Sequence, residues 1–181
     1  LGALSVGGDL AAGLMKPYMT EAPRVPAPLS YRVPPGHDAA SFARECLASL
    51  ERTIEREDPQ TVLAFIMEPV IGLSGGAVVA PDFYYEEVRR ICDRYGVLLI
   101  YDEVISGGGR TGRFLAAHHW PRARPDLVVL AKGLGGGYFP VGAFLAPAAM
   151  VAAVAAKPGF HYGHTYKGNP LGCAVALAVL Q

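Results

Sequence analysis

The chain has 181 residues, 51% of them hydrophobic, and its 16 basic side chains balance 16 acidic ones. That length suits one domain able to bury a substantial core. Zero net charge excludes recognition of nucleic acid or an anionic membrane by a bulk field, so any function resides in a local site.

Residues 1–36 form a Pro-rich lead-in. Its stretch KPYMTEAPRVPAPLSYRVPPG (16–36) carries six prolines, which remove backbone donors and hold their neighbours extended. Asp38 then stands as the N-cap of a helix on which Phe42, Cys46, Leu47, Leu50 and Ile54 recur at helical spacing. The continuous apolar run at 61–70, TVLAFIMEPV, predicts a strand covered on both faces. Asp82 is expected to cap a second helix with a stripe of Tyr84, Val88, Ile91, Cys92 and Tyr95, ended by Gly96. Further strands are expected at 96–104, 126–133 and 141–146. Asn169 and Pro170 suit the N-cap and first turn of a last helix.

Strand, helix, strand in this order predicts an α/β fold with a mostly parallel sheet and helices on both faces. In such sheets ligands bind beyond the carboxyl ends of the strands. Glu68, Asp102, Glu103 and Lys132 all fall at such ends.

Cys46, Cys92 and Cys173 are far apart and lack CxxC spacing, so they read as buried thiols of a reducing compartment, with no metal site. His118 and His119 also lack ligand spacing and read as packing or surface residues. The apolar runs are short and interrupted, which predicts no signal peptide or membrane span and a cytoplasmic location. The chain starts without Met and stops inside a helical pattern, so it is expected to be part of a longer protein.

The chemistry concentrates on two residues. Asp102 closes an apolar strand, where a carboxylate needs a donor or a cation; alone it is equally a structural, ion-paired acid. Lys132 closes another, directly before GLGGG, where an amine can lose its proton and attack a carbonyl; alone it is equally a solvated lysine or a phosphate ligand. Together, a nucleophilic lysine and an acid able to pair with a pyridinium nitrogen match the protein side of pyridoxal 5′-phosphate chemistry. GLGGG precedes a strand instead of opening a helix after one, against a dinucleotide-binding loop.

Three segments, LLIYDEVISGGGRTGRFLAAHHW, PDLVVLAKGLGGGYFPVGA and GHTYKGNPLGCAVALAVL, resemble the class III aminotransferases, pyridoxal-phosphate enzymes of fold type I. The likeness extends back through EPVIGLSGGAVVAPDFYYEEVRRICDRYGVLLI to VPAPLSYR and LGALSVGG. It implies that residues 37–181 are the central part of the cofactor-binding large domain, with flanking regions and a small C-terminal domain absent. It further implies that Lys132 forms the internal aldimine, Asp102 pairs with the pyridine nitrogen and Val104 packs on the ring. Thr165 matches the threonine that reaches the cofactor phosphate of a neighbouring subunit, which implies a homodimer with sites at the interface. Glu68 and Glu103 are assigned to the surroundings of these groups. Arg110 and Arg113 are expected to shape a loop and an ion pair near the interface.

Two positions depart from much of the family. Ile105 stands where many relatives have Gln, and Leu73 where many glutamate-using members have an acid. Both departures resemble the amine:pyruvate type, implying an amine or ω-amino acid donor and a 2-oxo acid acceptor. An aminomutase or racemase, which needs no external keto acid, and a truncated interaction module are the alternatives. The family's phosphate-binding turn, ring-stacking aromatic and substrate-carboxylate arginine match nothing in these 181 residues, so on their own they are expected to bind cofactor poorly and turn over little.

Overall fold

The structure, a computed structural model, describes residues 2–7, 15–157, 159–161 and 163–181; residues 1 and 8–14 of the lead-in lie outside it. Among the described residues the helices are α1 (Gly2–Val6), α2 (Ala39–Arg56), α3 (Asp82–Tyr95), α4 (Ala148–Ala156) and α5 (Pro170–Leu180). The strands are β1 (Ala64–Met67), β2 (Leu98–Asp102), β3 (Leu127–Leu130) and β4 (Ala143–Leu145). They form one sheet in the order β1-β2-β3-β4, with the first two pairings parallel and β3–β4 antiparallel.

Local chemistry sets the element ends. At the start of α2 the Asp38 carboxylate accepts from Ser41 N–H at 2.7 Å while the Ser41 hydroxyl accepts from Asp38 N–H at 2.9 Å, a reciprocal capping box. Gly96 ends α3 in the left-handed conformation, φ 69°, which costs glycine nothing. The first strand is shorter than its apolar run because Pro59–Thr61 coil into a single 3-10 turn and Pro69 has no N–H to give a ladder. One expectation fails at the start of α3. Pro81, not Asp82, is the N-cap; Asp82 is the first helical residue, and its Oδ1 accepts from the Trp120 indole N–H at 2.9 Å. A carboxylate in that first turn still complements the helix dipole.

The core lies between α2, α3 and one sheet face. Ala43, Cys46, Leu50, Tyr84, Val88 and Cys92 pack against Leu99 and Tyr101, whose neighbours in register are Phe65 and Met67 of β1. The alternation of β2 turns Leu98, Ile100 and Asp102 to the opposite face, where they are only half-buried. Phe144, in register with Val129 beside Asp102, is 61% exposed on that side.

Burial pushes the Cys46 and Cys92 thiols up from 9.0 to about 11. Cys173 corrects the reading of three buried thiols. It is exposed, because α5 is apolar on every side and the described residues cover only part of it.

Two tyrosines give opposite predictions. Tyr85 is buried on α3; its hydroxyl donates to Pro69 O at 2.7 Å and accepts from Ala80 N–H at 3.1 Å, pinning both ends of the loop that joins β1 to α3. Tyr85→Phe orphans both backbone groups and is expected to cost about 1–3 kcal/mol. Tyr101 is as buried, yet its hydroxyl has no hydrogen-bond partner among the described residues. Tyr101→Phe is therefore expected to leave the thermal unfolding midpoint unchanged or raised, while Tyr85→Phe lowers it.

Candidate active site

The parallel register aligns the strand ends. Met67 pairs with Tyr101 and Asp102 with Val129, so Glu68 and Asp102 leave adjacent strands side by side. Lys132 follows two residues after the end of the third. The sheet thus brings Glu68, Asp102, Glu103 and Lys132 to one carboxyl edge, as the order of elements predicts.

Asp102 is half-buried, and its Oδ1 accepts from Val104 N–H at 3.0 Å. This local bond fixes the carboxyl plane and leaves Oδ2 without a donor among the described residues. An acceptor held in that way suits a cationic ring N–H. Val104, half-buried, supplies the bond that holds it.

Lys132 opens a 3-10 turn, Lys132–Gly135, with φ 41°. A side chain in the left-handed region is strained on the order of 1–3 kcal/mol and persists only where surroundings enforce it. The residue after Lys132 packs backbone against backbone: a Cβ built on Gly108 would lie 2.9 Å from Gly133 C, and one on Gly133 would lie 3.1 Å from Gly107 O. Lys132 is exposed and makes no ion pair among the described residues. Its amine is available to a ligand.

Glu68 turns back on its own loop, accepting from Gly72 N–H at 2.7 Å. A side chain at Gly72 would strike both Glu68 Oε2 at 2.8 Å and Ile105 Cδ1 at 2.4 Å, so the loops after β1 and β2 touch there. Leu73, at the tip of the first loop, is 94% exposed. Glu103 is wholly buried: Oε2 accepts from the Ser106 hydroxyl at 2.9 Å and Ala116 N–H at 2.7 Å, and Oε1 from Ala117 N–H at 2.8 Å. Nothing in residue spacing pointed to these three donors, two of which are backbone groups 13 and 14 residues away.

Thr165 lies in an exposed turn away from the strand ends in sequence, before α5. The loop that carries Arg110 and Arg113 is closed by backbone bonds from Gly108 and Gly109 to Phe114 O, and neither arginine makes an ion pair with the described residues of its own chain. His119 Nε2 instead meets Thr111 O at 3.1 Å. Among the described residues no three His, Cys, Asp or Glu side chains are grouped to hold a metal ion, and no helix is long and apolar enough to cross a membrane.

A groove of about 1170 Å³ opens beside β4, lined by Leu127, Phe139, Phe144, Val151, Phe160 and Cys173 among others. The helix beside it, α4, has the sequence AAMVAAVAA and no buried residue.

The chain is similar to known proteins along its whole length. The profile of the aminotransferase class-III family matches residues 1–181. The chain is 42% identical over 187 residues to adenosylmethionine-8-amino-7-oxononanoate aminotransferase of Geobacter sulfurreducens, covering 100% of this chain and 41% of that protein. It is 42% identical over 151 residues to a probable mitochondrial gamma-aminobutyrate transaminase 2 of Oryza sativa subsp. japonica, covering 81% of this chain and 30% of that one. Among solved structures, a thermostable (S)-enantioselective omega-transaminase from Thermomicrobium roseum superposes with a TM-score of 0.83 at 39% identity, over 98% of this chain and 40% of that chain. An amine transaminase from an uncultivated Pseudomonas species, in a PLP-bound form, gives a TM-score of 0.83 at 38% identity, over 98% of this chain and 41% of that chain. The chain therefore spans about two fifths of the length of such relatives.

Proposed function

Because the chain belongs to the class III aminotransferases, with their fold type I α/β sheet, we propose that the whole protein is a pyridoxal-phosphate-dependent transaminase. It moves an amino group from an amine or ω-amino acid to a 2-oxo acid. The observation that carries this reading is the pairing of an unpartnered Asp102 oxygen with a strained, accessible Lys132 at the carboxyl ends of neighbouring strands.

When bound, pyridoxal phosphate supplies an aldehyde that condenses with amines and a ring that withdraws electrons from the carbon next to nitrogen. Lys132 Nζ would hold the group by its aldehyde and would be the base that moves a proton at that carbon. Asp102 would hold the protonated ring nitrogen through Oδ2, its other oxygen being tied to Val104 N–H. Val104 offers an apolar surface to the ring. Thr165, in its exposed turn, is assigned to the cofactor phosphate of a second copy in a homodimer. A helix apolar all round, as α4 is, is normally buried, which favours a further protein surface over it.

Substrate preference follows the loops. Leu73 stands where many glutamate-using relatives carry an acid, and Ile105 where many relatives carry a Gln; both departures resemble the amine:pyruvate type. Relatives named as omega-transaminase and gamma-aminobutyrate transaminase are consistent with a donor amine remote from a carboxylate. Steady-state assays of the whole protein are expected to show kcat/KM for pyruvate above that for 2-oxoglutarate. A strong preference for 2-oxoglutarate overturns the substrate assignment, and turnover without any keto acid overturns transamination.

A further inference from the structure

Glu103 does not face the proposed cofactor, yet it is the most completely enclosed charged residue type in the described chain, at 0% exposure. Its two oxygens collect three donors, from Ser106, Ala116 and Ala117. Those bonds tie the two ends of the glycine-rich segment 106–115 to the residue that directly follows Asp102. The segment is closed further by Gly107 N–H donating to Glu103 O at 2.8 Å and Gly108 N–H donating to Phe114 O at 2.9 Å.

This closed loop touches the lysine turn. A Cβ on Gly108 would meet Gly133 C at 2.9 Å and one on Gly133 would lie 3.1 Å from Gly107 O, so the two backbones are in close contact, and Gly133 is the neighbour of the strained Lys132. Glu103 N–H also donates to Val129 O at 2.9 Å, joining the same residue to the strand that leads into Lys132. One buried side chain therefore anchors a rigid block that touches Asp102 by the chain and Lys132 by contact.

We propose that Glu103 is a positioning residue, whose carboxylate holds the loop 106–115 against Gly133 and so sets the place of the Lys132 amine relative to Asp102. The proposal rests on the transaminase reading. Mispositioning a reacting group by about 1 Å costs up to about a hundredfold in rate. Replacing one Glu103 oxygen by an amide NH₂ turns a donor toward Ser106 and Ala116 or toward Ala117, and the loop must give way.

The test uses the whole protein loaded with pyridoxal phosphate, with Glu103→Gln and Gly108→Ala made singly and together. Gly108→Ala disturbs the other end of the relay, since its Cβ would meet Gly133 C at 2.9 Å and its φ is 69°. Each single variant is expected to lower kcat about 10- to 100-fold with KM within about twofold, and to displace the pH midpoint of the visible absorbance of the lysine-bound cofactor. The double variant is expected to lose less than the product of the two, because both break one relay. A lowered unfolding midpoint with unchanged kcat per bound cofactor and an unchanged absorbance profile overturns the proposal, leaving Glu103 a structural pin. Should Glu103→Gln fail to fold, Gly108→Ala decides by the same two readouts. A wild-type protein without the pH-dependent band overturns the transaminase reading itself, and with it this inference; a normal wild-type band with unaffected variants overturns the inference alone.

Discussion

Replacing Lys132 with alanine is expected to lower kcat by about 10³- to 10⁴-fold, the upper range for losing a positioned proton carrier, equivalent to about 4–5.5 kcal/mol of barrier. The loss is chemical rather than structural. Lys132 is exposed and makes no ion pair among the described residues, so its side chain contributes little to folding. Alanine also retains the same strained backbone position, leaving the turn Lys132–Gly135 under the same contact from Gly107 and Gly108. The unfolding midpoint without cofactor is therefore expected to stay within the usual scatter of surface substitutions. Borohydride treatment followed by peptide mapping checks the role directly. It should fix the cofactor to the peptide holding Lys132 in the unaltered protein and to no residue in Lys132→Ala. A variant that keeps near-normal turnover would remove Lys132 from the mechanism.

The second large effect is expected at Asp102, and Asn is the informative substitute. Asparagine keeps an oxygen able to accept from Val104 N–H, preserving the local bond seen at 3.0 Å. What it removes is the negative charge opposite the proposed ring nitrogen. Deleting one preorganised electrostatic partner costs about 10²- to 10³-fold in kcat, and Asp102→Asn is expected in that range. Asp102→Ala should be as slow or slower and should also unfold sooner, since Val104 N–H then loses its acceptor. Stopped-flow measurement of the first half-reaction with a single amine donor separates the effect on proton removal from that on product release. Equal rates for Asp102→Asn and the unaltered protein would show that the carboxylate faces something other than a ring nitrogen.

These two residues illustrate why the strand ends that gather the candidate site were legible in one dimension. Apolar runs ending in a charged residue are costly to bury without a partner, and in a parallel sheet such ends converge on one edge. Asp102 and Lys132 carried that signal directly. The helices were legible for the same kind of reason. Asp38 and Ser41 cap within four residues of chain, and the stripe from Phe42 to Ile54 needs only helical periodicity. By contrast, α4 passed unnoticed, because nine alanine, valine and methionine residues have no polar face to reveal a period. Asp82 was misplaced by one position for an equally local reason. A proline before an acid can be the cap itself, and the indole that claims the Asp82 side chain lies 38 residues away.

The sequence by itself determined the α/β class, the capped helices α2 and α5, and the strands ending at Asp102 and before Lys132. Each follows from interactions within a few residues or from the cost of burying charge. Only the tertiary structure decided that β4 runs antiparallel, that Cys173 is exposed, that Glu68 folds back onto Gly72, and that Glu103 gathers donors from Ser106, Ala116 and Ala117. It also decided that Lys132 takes a positive φ and that Gly133 beside it packs against Gly107 and Gly108. The physical reason is common to all of these: backbone donors and close backbone contacts carry no residue identity, so which of them meet is fixed by packing alone.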